Sequence, residues 1–260
     1  MCCTLLIKKL RSSTYDVLCM MDSLIRTTYY FIHLMDSSLK ARLEQLNEVF
    51  LLENQKLNLS SLRDPKQCWI GNILDSLPLL HRLDALFPIK QESYALLDIG
   101  TGGGFPLLPL AIARSDLHCT GLDATRKKVD AVDRIVSALA LTNVKLITGR
   151  SEEVAYKPQY RQQFDIVTAR AVAPLNVLLE LCAPFARLNG ILVFWKSMHI
   201  ADEQRASLSA AKALGCELVE THRYELPEGF GERQLLIYRK TAPTDRRYPR
   251  DVGIPKKEPL

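Results

Sequence analysis

Residues 97–106 read Leu-Asp-Ile-Gly-Thr-Gly-Gly-Gly-Phe-Pro, and they are the most informative part of the sequence about its fold. A short apolar run ends in an aspartate, and glycines at alternating positions lead into an apolar, helix-like segment. A backbone without Cβ atoms lets a flat or charged ligand approach closely. The helix that follows offers free N–H groups and a positive dipole end. The stretch therefore predicts a nucleotide-like ligand at a turn between a strand and a helix.

Short apolar strands alternate with amphipathic helices after this turn. Strands are predicted at residues 94–99, 118–122, 144–148, 164–168, 190–195, 217–222 and 234–239, and helices at residues 107–114, 126–140, 174–187 and 201–214. Alternation at this spacing predicts an α/β protein with a mostly parallel, seven-stranded sheet. The short connection between the last two strands predicts an antiparallel hairpin at the sheet edge.

The sequence before the first strand predicts a helical segment. Apolar residues recur at helical spacing from Asp36, and a second helix is predicted from Pro65 to about Leu83. The resulting division is an N-terminal extension (1–34), a helical segment (35–92), the main domain (93–240) and a basic tail (241–260). The extension is patterned neither as a signal peptide nor as part of the fold. An upstream start codon is favoured over a transit peptide.

Composition narrows the function classes. The 260 residues carry a net charge of +5, with 47% hydrophobic and 24% charged residues, which is ordinary for a globular protein. Seven scattered cysteines without a Cys-x-x-Cys indicate a reducing compartment, and five dispersed histidines give no zinc spacing. Residues 239–258 hold seven Lys or Arg against three Asp or Glu. This surplus suits a phosphate backbone or a solvated tail, and charge alone leaves both open.

Two cofactor classes use a glycine turn after the first strand. The dinucleotide fingerprint needs a third glycine or alanine, but the sixth position is Phe105 counted from Gly100 and Leu107 counted from Gly102. The observed Asp98-x-Gly100-x-Gly102-x-Gly104 is instead typical of the S-adenosylmethionine site in class I methyltransferases, which have a Rossmann-like fold. In that site Asp98 could help hold the cofactor's ammonium group.

Two further turns support a nucleoside site. Asp123 ends the second strand, where a carboxylate can accept hydrogen bonds from ribose hydroxyls; it could also cap the helix that starts near Arg126. Ser151 and Glu152 follow the third strand, where this architecture faces the adenine ring. The alternative for that turn is a surface loop.

The sequence after the fourth strand gives information about which substrate atom is methylated. Residues 168–174 read Thr-Ala-Arg-Ala-Val-Ala-Pro, which lacks the Pro-Pro-aromatic motif of exocyclic-amine methyltransferases, and no Pro-Cys or Thr-Cys nucleophile occurs. Methylation of a ring nitrogen such as guanine N7 requires neither the Pro-Pro-aromatic motif nor a cysteine nucleophile. Arg170 could pair with a phosphate, a guanine edge or the cofactor, or form a structural salt bridge. Trp195 and Lys196 are weaker candidates for base stacking and phosphate contact, and Trp195 also reads as a core residue.

The chain resembles the RsmG (GidB) family of bacterial small-subunit ribosomal RNA guanine-N7 methyltransferases over residues 36–260. The resembling stretches are Asn58-Leu-Ser-Ser-Leu-Arg-Asp-Pro65, Ile73-Leu-Asp-Ser-Leu77, Asp98-Ile-Gly-Thr-Gly-Gly-Gly-Phe-Pro106, Phe164-Asp-Ile-Val-Thr-Ala-Arg-Ala-Val-Ala-Pro-Leu175, Arg247-Tyr-Pro-Arg250 and Gly253-Ile-Pro-Lys-Lys-Glu-Pro-Leu260. The glycine motif is common to methyltransferases, whereas the arginine-alanine segment and the tail are more specific to this family.

The resemblance implies S-adenosylmethionine as cofactor and a guanine in the 530 loop of 16S rRNA (position 527 in the usual rRNA numbering) as substrate. It implies cofactor contacts at Gly100, Phe105, Ser151, Glu152 and Arg170, with Asp123 at the ribose, and no metal. It also makes the tail cations Arg247, Arg250, Lys256 and Lys257 candidates for RNA phosphate contacts, beside Lys196. We expect a cytoplasmic monomer that does not bind membranes. It is expected to catalyse by positioning its reactants, with Arg170 as the candidate catalytic residue.

One departure keeps a second function open. The family usually has Arg-His before Ile-Leu-Asp-Ser-Leu, whereas this chain has Gly71-Asn72. Loss of a cation and an aromatic ring there predicts weaker or altered RNA binding. It motivates a second hypothesis, a non-catalytic RNA- or ribosome-binding factor that kept the fold, behind the leading hypothesis of a methyltransferase. A nicotinamide-dependent dehydrogenase is disfavoured by Phe105 and by the lack of a convincing proton relay.

Overall fold

A seven-stranded mixed sheet organises the protein. The computed structural model describes residues 35–87 and 91–260, so the predicted extension 1–34 lies outside the described residues. The strands are β1 (Tyr94–Ile99), β2 (Leu117–Asp123), β3 (Val144–Thr148), β4 (Phe164–Arg170), β5 (Ala186–Ser197), β6 (Cys216–Leu226) and β7 (Gly231–Lys240). Their order is β3-β2-β1-β4-β5-β7-β6. The first five strands run parallel, and β7 pairs antiparallel with both β5 and β6. The predicted edge hairpin is confirmed.

Ten α-helical segments surround this sheet in the described part of the chain. They are α1 (Ser37–Leu57), α2 (Pro65–Cys68), α3 (Leu80–Leu86), α4 (Leu107–Ala113), α5 (Arg126–Ala138), α6 (Ser151–Val154), α7 (Leu175–Cys182), α8 (Ala201–Ala206), α9 (Leu208–Ala213) and α10 (Ile254–Lys257). Between α2 and α3 lie a π-helical turn (Trp69–Leu74) and a 3-10 turn (Leu77–Leu79).

Three helix predictions were wrong in their extent. The single helix predicted from Pro65 to Leu83 is a chain of four short pieces, and Pro78, which has no N–H to donate, lies in its 3-10 turn. The helix predicted over 174–187 ends at Cys182, since Pro184 cannot donate to the preceding turn and β5 begins at Ala186. The helix predicted over 201–214 divides at Ser207, whose hydroxyl donates to Gln204 O at 2.8 Å.

The N-terminal helical segment is part of the main core. Leu43, Leu46 and Phe50 of α1 belong to the same buried cluster as Leu108 of α4 and Val132 of α5. An ion pair adds to this contact, because Glu53 of α1 lies 2.6 Å from the Arg134 guanidinium of α5. Residues 35–87 of the predicted segment therefore contribute to the core cluster on one face of the sheet.

A switch in strand order fixes where a ligand can bind. The chain runs from β1 to β2 and β3 on one side and returns to β4 on the other, so the connections after β1 and β4 diverge. In open α/β sheets, ligands bind beyond the carboxyl ends of the strands at such a point. The turn at Gly100, the end of β2 at Asp123 and the end of β4 at Arg170 all lie at this edge.

Two composition-based expectations can be compared with the described residues. Cys68, Cys119, Cys182 and Cys216 are free and buried, as expected for thiols that act as small apolar side chains. Burial raises the pKa of each of these thiols. Across residues 35–87 and 91–260, no helix has both the length and the apolar character that crossing a membrane requires.

Candidate active site

A pocket of about 440 Å³ lies at the carboxyl edge of the sheet. Its walls come from the turns that follow four parallel strands, from α7 and from the C-terminal segment. The lining residues are Ile99, Gly100, Leu122, Asp123, Ala124, Thr125, Gly149, Arg150, Ser151, Glu152, Val172, Ala173, Val177, Leu181, Val252, Gly253, Pro255 and Lys256. Four of the predicted cofactor residues, Gly100, Asp123, Ser151 and Glu152, thus share one cavity.

Asp123 joins the glycine turn to the end of β2. Its Oδ2 accepts a hydrogen bond from the Gly102 N–H at 3.0 Å, and its Oδ1 accepts one from the Thr125 N–H at 2.8 Å. The residue that caps α5 is Thr125, so the capping alternative for Asp123 was wrong by two positions. A carboxylate has about four lone-pair sites, so both oxygens can still accept hydrogen bonds from a ligand.

The predicted glycines have different surroundings. Gly100 lines the pocket with φ +68°, and a Cβ there would lie 2.7 Å from Val172 Cγ2. Gly102 and Gly104 also have positive φ, but they shape the turn behind the pocket instead of lining it. At Gly104 a Cβ would lie 2.6 Å from Leu108 Cδ1. Positive φ therefore favours glycine at all three positions, and at Gly100 and Gly104 a Cβ would also force a neighbouring side chain to move.

Asp98 is a buried carboxyl beneath this turn. It is 1% exposed, and its Oδ1 accepts a hydrogen bond from the Thr168 hydroxyl at 2.8 Å. Burial raises its pKa to about 6, although the hydroxyls of Thr168 and Thr101 partly oppose the shift. Asp98 is not among the residues that line the pocket. It can act on a ligand there as a nearby negative charge whose strength depends on pH.

Ser151 and Glu152 begin α6 at the pocket wall. The Ser151 hydroxyl donates to Leu181 O at 2.7 Å, which ties the wall to α7. Glu152 Oε1 accepts a hydrogen bond from the Gly253 N–H at 3.1 Å. The turn is therefore a structured wall between two other elements, in contrast to the surface-loop alternative.

Phe105 and Arg170 lie outside the lining of this pocket. The Phe105 ring packs edge-on against Phe50, with ring centroids 4.8 Å apart. The Arg170 guanidinium lies 5.8 Å from the centroid of the Phe105 ring. Arg170 forms a partly buried ion pair with Asp75 at 2.9 Å and donates to Asn72 Oδ1 at 3.3 Å. The geometry corresponds to the salt-bridge alternative for Arg170. Its predicted cofactor contact, like that of Phe105, stays a prediction.

A second pocket of about 390 Å³ lies on the other side of the turn after β4. It is lined by Ser60, Ser61, Leu62, Gly71, Asn72, Asp75, Arg170, Ala171, Trp195, Lys196, Ser197 and Arg233. Arg170 and Ala171 face this pocket, whereas Val172 and Ala173 line the first one. Ala171 has φ +56°, an uncommon conformation for a residue with a Cβ. One sharp turn thus separates the two cavities.

Asp75 is the centre of a buried network at the second pocket. Besides Arg170, the Tyr224 hydroxyl donates to its Oδ1 at 2.7 Å, and Trp195 Nε1 donates to its backbone carbonyl at 2.6 Å. Burial, and then the neighbouring Asp75 charge, raise the pKa of Tyr224 well above its usual value, which keeps this hydroxyl a donor. Trp195 is 6% exposed, so it is a core residue, which was the alternative to a role in base stacking.

The Gly71-Asn72 departure is accommodated by its neighbours. A Cβ at Gly71 would lie 2.6 Å from Leu62 Cδ1 and 3.2 Å from Phe230 Cε1. Asn72 is buried, and its carboxamide holds Arg170 on one side and contacts Cys68 Sγ at 3.4 Å on the other. These two residues are therefore integrated into the wall of the second pocket.

The predicted RNA-contacting cations fall into two groups. Lys196 pairs with Glu203 at 2.5 Å with only 12% of its side chain exposed, and Arg250 pairs with the buried Glu180 at 2.7 Å. Both charges are already compensated inside the protein. The second group, Arg247, Lys256 and Lys257, is exposed, although Lys256 also lines the first pocket.

Sequence reasoning gave no role to several residues that shape this site. Asp75 was noted only within a family motif, and Glu180 and the segment 252–256 were not assigned to the pocket. Glu180 carried a usable signal, since it is the one charged residue in the apolar helix Leu175–Cys182. A lone acid in such a helix indicates a buried partner.

The family model and the individual relatives that match this chain all belong to one family. The sequence pattern of the GidB family, described as rRNA small subunit methyltransferase G, matches residues 39–235. The ribosomal RNA small subunit methyltransferase G of Gloeobacter violaceus is 38% identical over 224 residues, which cover 86% of this chain and 87% of that protein. The protein of the same name from Oenococcus oeni is 36% identical over 213 residues, covering 81% and 86%.

Solved structures support the fold. A SAM-dependent methyltransferase from Aquifex aeolicus superposes with a TM-score of 0.51 at 16% identity, over 71% of this chain and 97% of that chain. At this identity the likeness concerns the fold alone. The predicted class I methyltransferase architecture is confirmed by this likeness together with the sheet order.

Proposed function

This chain belongs to the rRNA small subunit methyltransferase G family, and we propose that it transfers a methyl group from S-adenosylmethionine to N7 of a guanine in the 530 loop of 16S rRNA. The observation that supports this function best is the pair of pockets on either side of residues 170–173. A transferase for two substrates needs two adjoining cavities, so that the donor carbon and the acceptor nitrogen can meet.

The residues of the first pocket fit the proposed cofactor. Gly100 leaves space that a Cβ would fill, and its backbone can approach a flat ligand. Asp123 retains acceptor capacity for ribose hydroxyls, and Ser151 and Glu152 form the wall that would face the adenine. The carboxylate form of Asp98 supplies negative charge near the position expected for the ammonium group. No phosphate cradle is needed for this ligand.

We assign the second pocket to the target base. Its wall combines the Arg170 guanidinium, the Asn72 carboxamide and the cation of Arg233 with the Gly71 backbone. Guanidinium groups suit phosphates and guanine edges because their donors lie in one plane. The Asp75 carboxylate and the Gly71 and Asn72 carbonyls bind Nη1 of Arg170, and this fixes the guanidinium plane. The donors left for a base are those of Arg170 that these acceptors do not use.

Catalysis then rests on positioning. When bound, S-adenosylmethionine supplies an electrophilic methyl group whose C–S electron pair leaves with sulfur as the guanine N7 lone pair forms the new bond. Guanine N7 carries no proton, so the chain needs no general base for this transfer. The task of its residues is to hold both reactants in line at near-attack distance, which alone can provide a large effective molarity.

Methylation of small ribosomal subunits tests the proposal. The purified chain is incubated with labelled S-adenosylmethionine and small ribosomal subunits from a strain lacking the modification, and nuclease digests are analysed by mass spectrometry. We expect 7-methylguanosine within the 530 loop. Absence of label, with an active relative as positive control, would refute the enzymatic function. If the RNA were bound under those conditions, the non-catalytic RNA-binding factor would be favoured.

A further inference from the structure

Part of the C-terminal segment lines the first pocket, a position that its positive charge did not indicate. We propose that the segment 244–257 forms a wall of the cofactor pocket, and that the ion pair between Glu180 and Arg250 positions this wall for cofactor binding. The inference rests on the proposed function, because it concerns the same pocket.

Arg250 anchors the segment on α7. Its Nε and Nη2 donate to the two carboxylate oxygens of Glu180 at 2.9 and 2.7 Å, and its backbone N–H donates to Oε1 at 2.8 Å. The Glu180 side chain is 1% exposed. A fork-on-fork contact of this kind fixes both partners in orientation as well as in distance. Arg250 is therefore the internal counter-charge of Glu180.

Two other side chains hold the same segment from outside. The Arg161 guanidinium donates to the carbonyl oxygens of Tyr248 at 2.9 Å and of Thr244 at 3.1 Å. The Tyr156 hydroxyl donates to Pro249 O at 2.5 Å. Because these donors bind backbone carbonyls, they fix the path of the chain and not the conformation of individual side chains.

The anchored segment leads directly into the pocket. Val252, Gly253, Pro255 and Lys256 line it opposite the strand ends. Gly253 enters α10 with φ +84°, and its N–H donates to Glu152 Oε1. The same acid therefore connects the segment to the wall predicted to face the adenine.

Cofactor affinity should depend on this docking. If the pocket is complete only when the segment is docked, the apparent dissociation constant rises in inverse proportion to the docked fraction. Removing the Arg250 cation leaves Glu180 buried without its counter-charge, which strongly favours undocking because undocking exposes the carboxylate to water. Glu180 and Arg250 act through the segment, so they are positioning residues.

Calorimetric titration of the full chain with S-adenosylhomocysteine tests this role. For Arg250→Met we expect about a tenfold weaker affinity, which corresponds to a docked fraction near one tenth. Arg250→Lys keeps the charge and should recover part of the loss. Arg247→Met is the matched control, since its side chain is 70% exposed in the same segment, and it should bind like the wild type. Equal affinities for wild type and Arg250→Met would overturn the inference alone.

Hydrogen exchange of the wild-type chain gives a second readout that requires no variant. S-adenosylhomocysteine should slow exchange of the amides of residues 250–257. If S-adenosylhomocysteine left the exchange of these amides unchanged, the segment would not respond to the cofactor, and the positioning role would be refuted. If the wild type failed to bind S-adenosylhomocysteine at all, the proposed function and this inference would fall together.

Discussion

Substitution of Gly100 by alanine is the sharpest perturbation that the cofactor pocket offers. The residue has φ +68°, so alanine pays the cost of the left-handed region, about 1–2 kcal/mol. The new Cβ would lie 2.7 Å from Val172 Cγ2. Val172 is 38% exposed and can rotate away, at a cost of about 1 kcal/mol for leaving its preferred rotamer. The sum predicts a loss of about 2–3 kcal/mol in the free energy of unfolding.

Gly229 provides a matched control for the backbone cost. It has φ +75°, and a Cβ there would meet nothing within 4 Å. Gly229→Ala should therefore lose only the first contribution, about 1–2 kcal/mol. Since about 1 kcal/mol shifts the melting temperature of a domain of this size by roughly 2–4 °C, differential scanning calorimetry can separate the two variants.

The affinity for S-adenosylhomocysteine distinguishes a ligand site from a packing defect. In Gly100→Ala the added methyl group and the displaced Val172 both occupy the pocket, so we expect at least a tenfold weaker affinity, or about 1.4 kcal/mol. Gly229→Ala should bind like the wild type. The measurement is made well below both melting temperatures. Equal affinities for the two variants would refute the assignment of Gly100 to the cofactor wall.

Other residues yield further predictions. The pKa of Asp98 is raised to about 6, so its ionised form costs folding free energy; this cost is absent below its ordinary pKa of 3.8 and complete above about pH 6. Because only the ionised carboxylate attracts the ligand's ammonium group, the affinity for S-adenosylhomocysteine should rise from pH 5 to 7, and Asp98→Asn should abolish this dependence in calorimetric titrations. Asp123→Ala should weaken cofactor binding by about 1–3 kcal/mol by the same method, through loss of charge-assisted hydrogen bonds. Arg170→Met should lower stability in urea unfolding by about 3 kcal/mol, because it removes the cation next to the buried Asp75. Lys257→Met should reduce the salt dependence of RNA binding by about one unit of slope. Lys257 is not among the residues that line the first pocket, so cofactor affinity should not change, and a changed affinity would contradict that placement of its side chain.

Local sequence determined the parts of the fold that were predicted well. The strand from Tyr94 to Ile99 was predicted with its exact bounds, because its apolar run ends at an aspartate and a glycine. The pocket positions of Gly100 and Asp123 also follow from local rules, since both stand where a parallel strand ends. Register and strand order then bring them together without further information.

Long-range pairing determined what the sequence could not show. The direction of the Arg170 side chain depends on Asp75, 95 residues earlier in the chain. The path of the tail depends on Glu180, 70 residues before Arg250. The basic composition of the tail suggests a phosphate partner, but the buried Glu180 forms an ion pair with one of its cations, Arg250. Such pairs are set by packing, which a single sequence does not encode locally.

The turn after β4 has a thermodynamic consequence. Its residues form part of the rim of both cavities, and Ala171 holds it in a backbone conformation with few alternatives. Any shift of this rim that accompanies filling of one cavity would alter the free energy of filling the other. By linkage the effect is mutual: nucleoside donor and polynucleotide acceptor would change each other's dissociation constant by an identical factor.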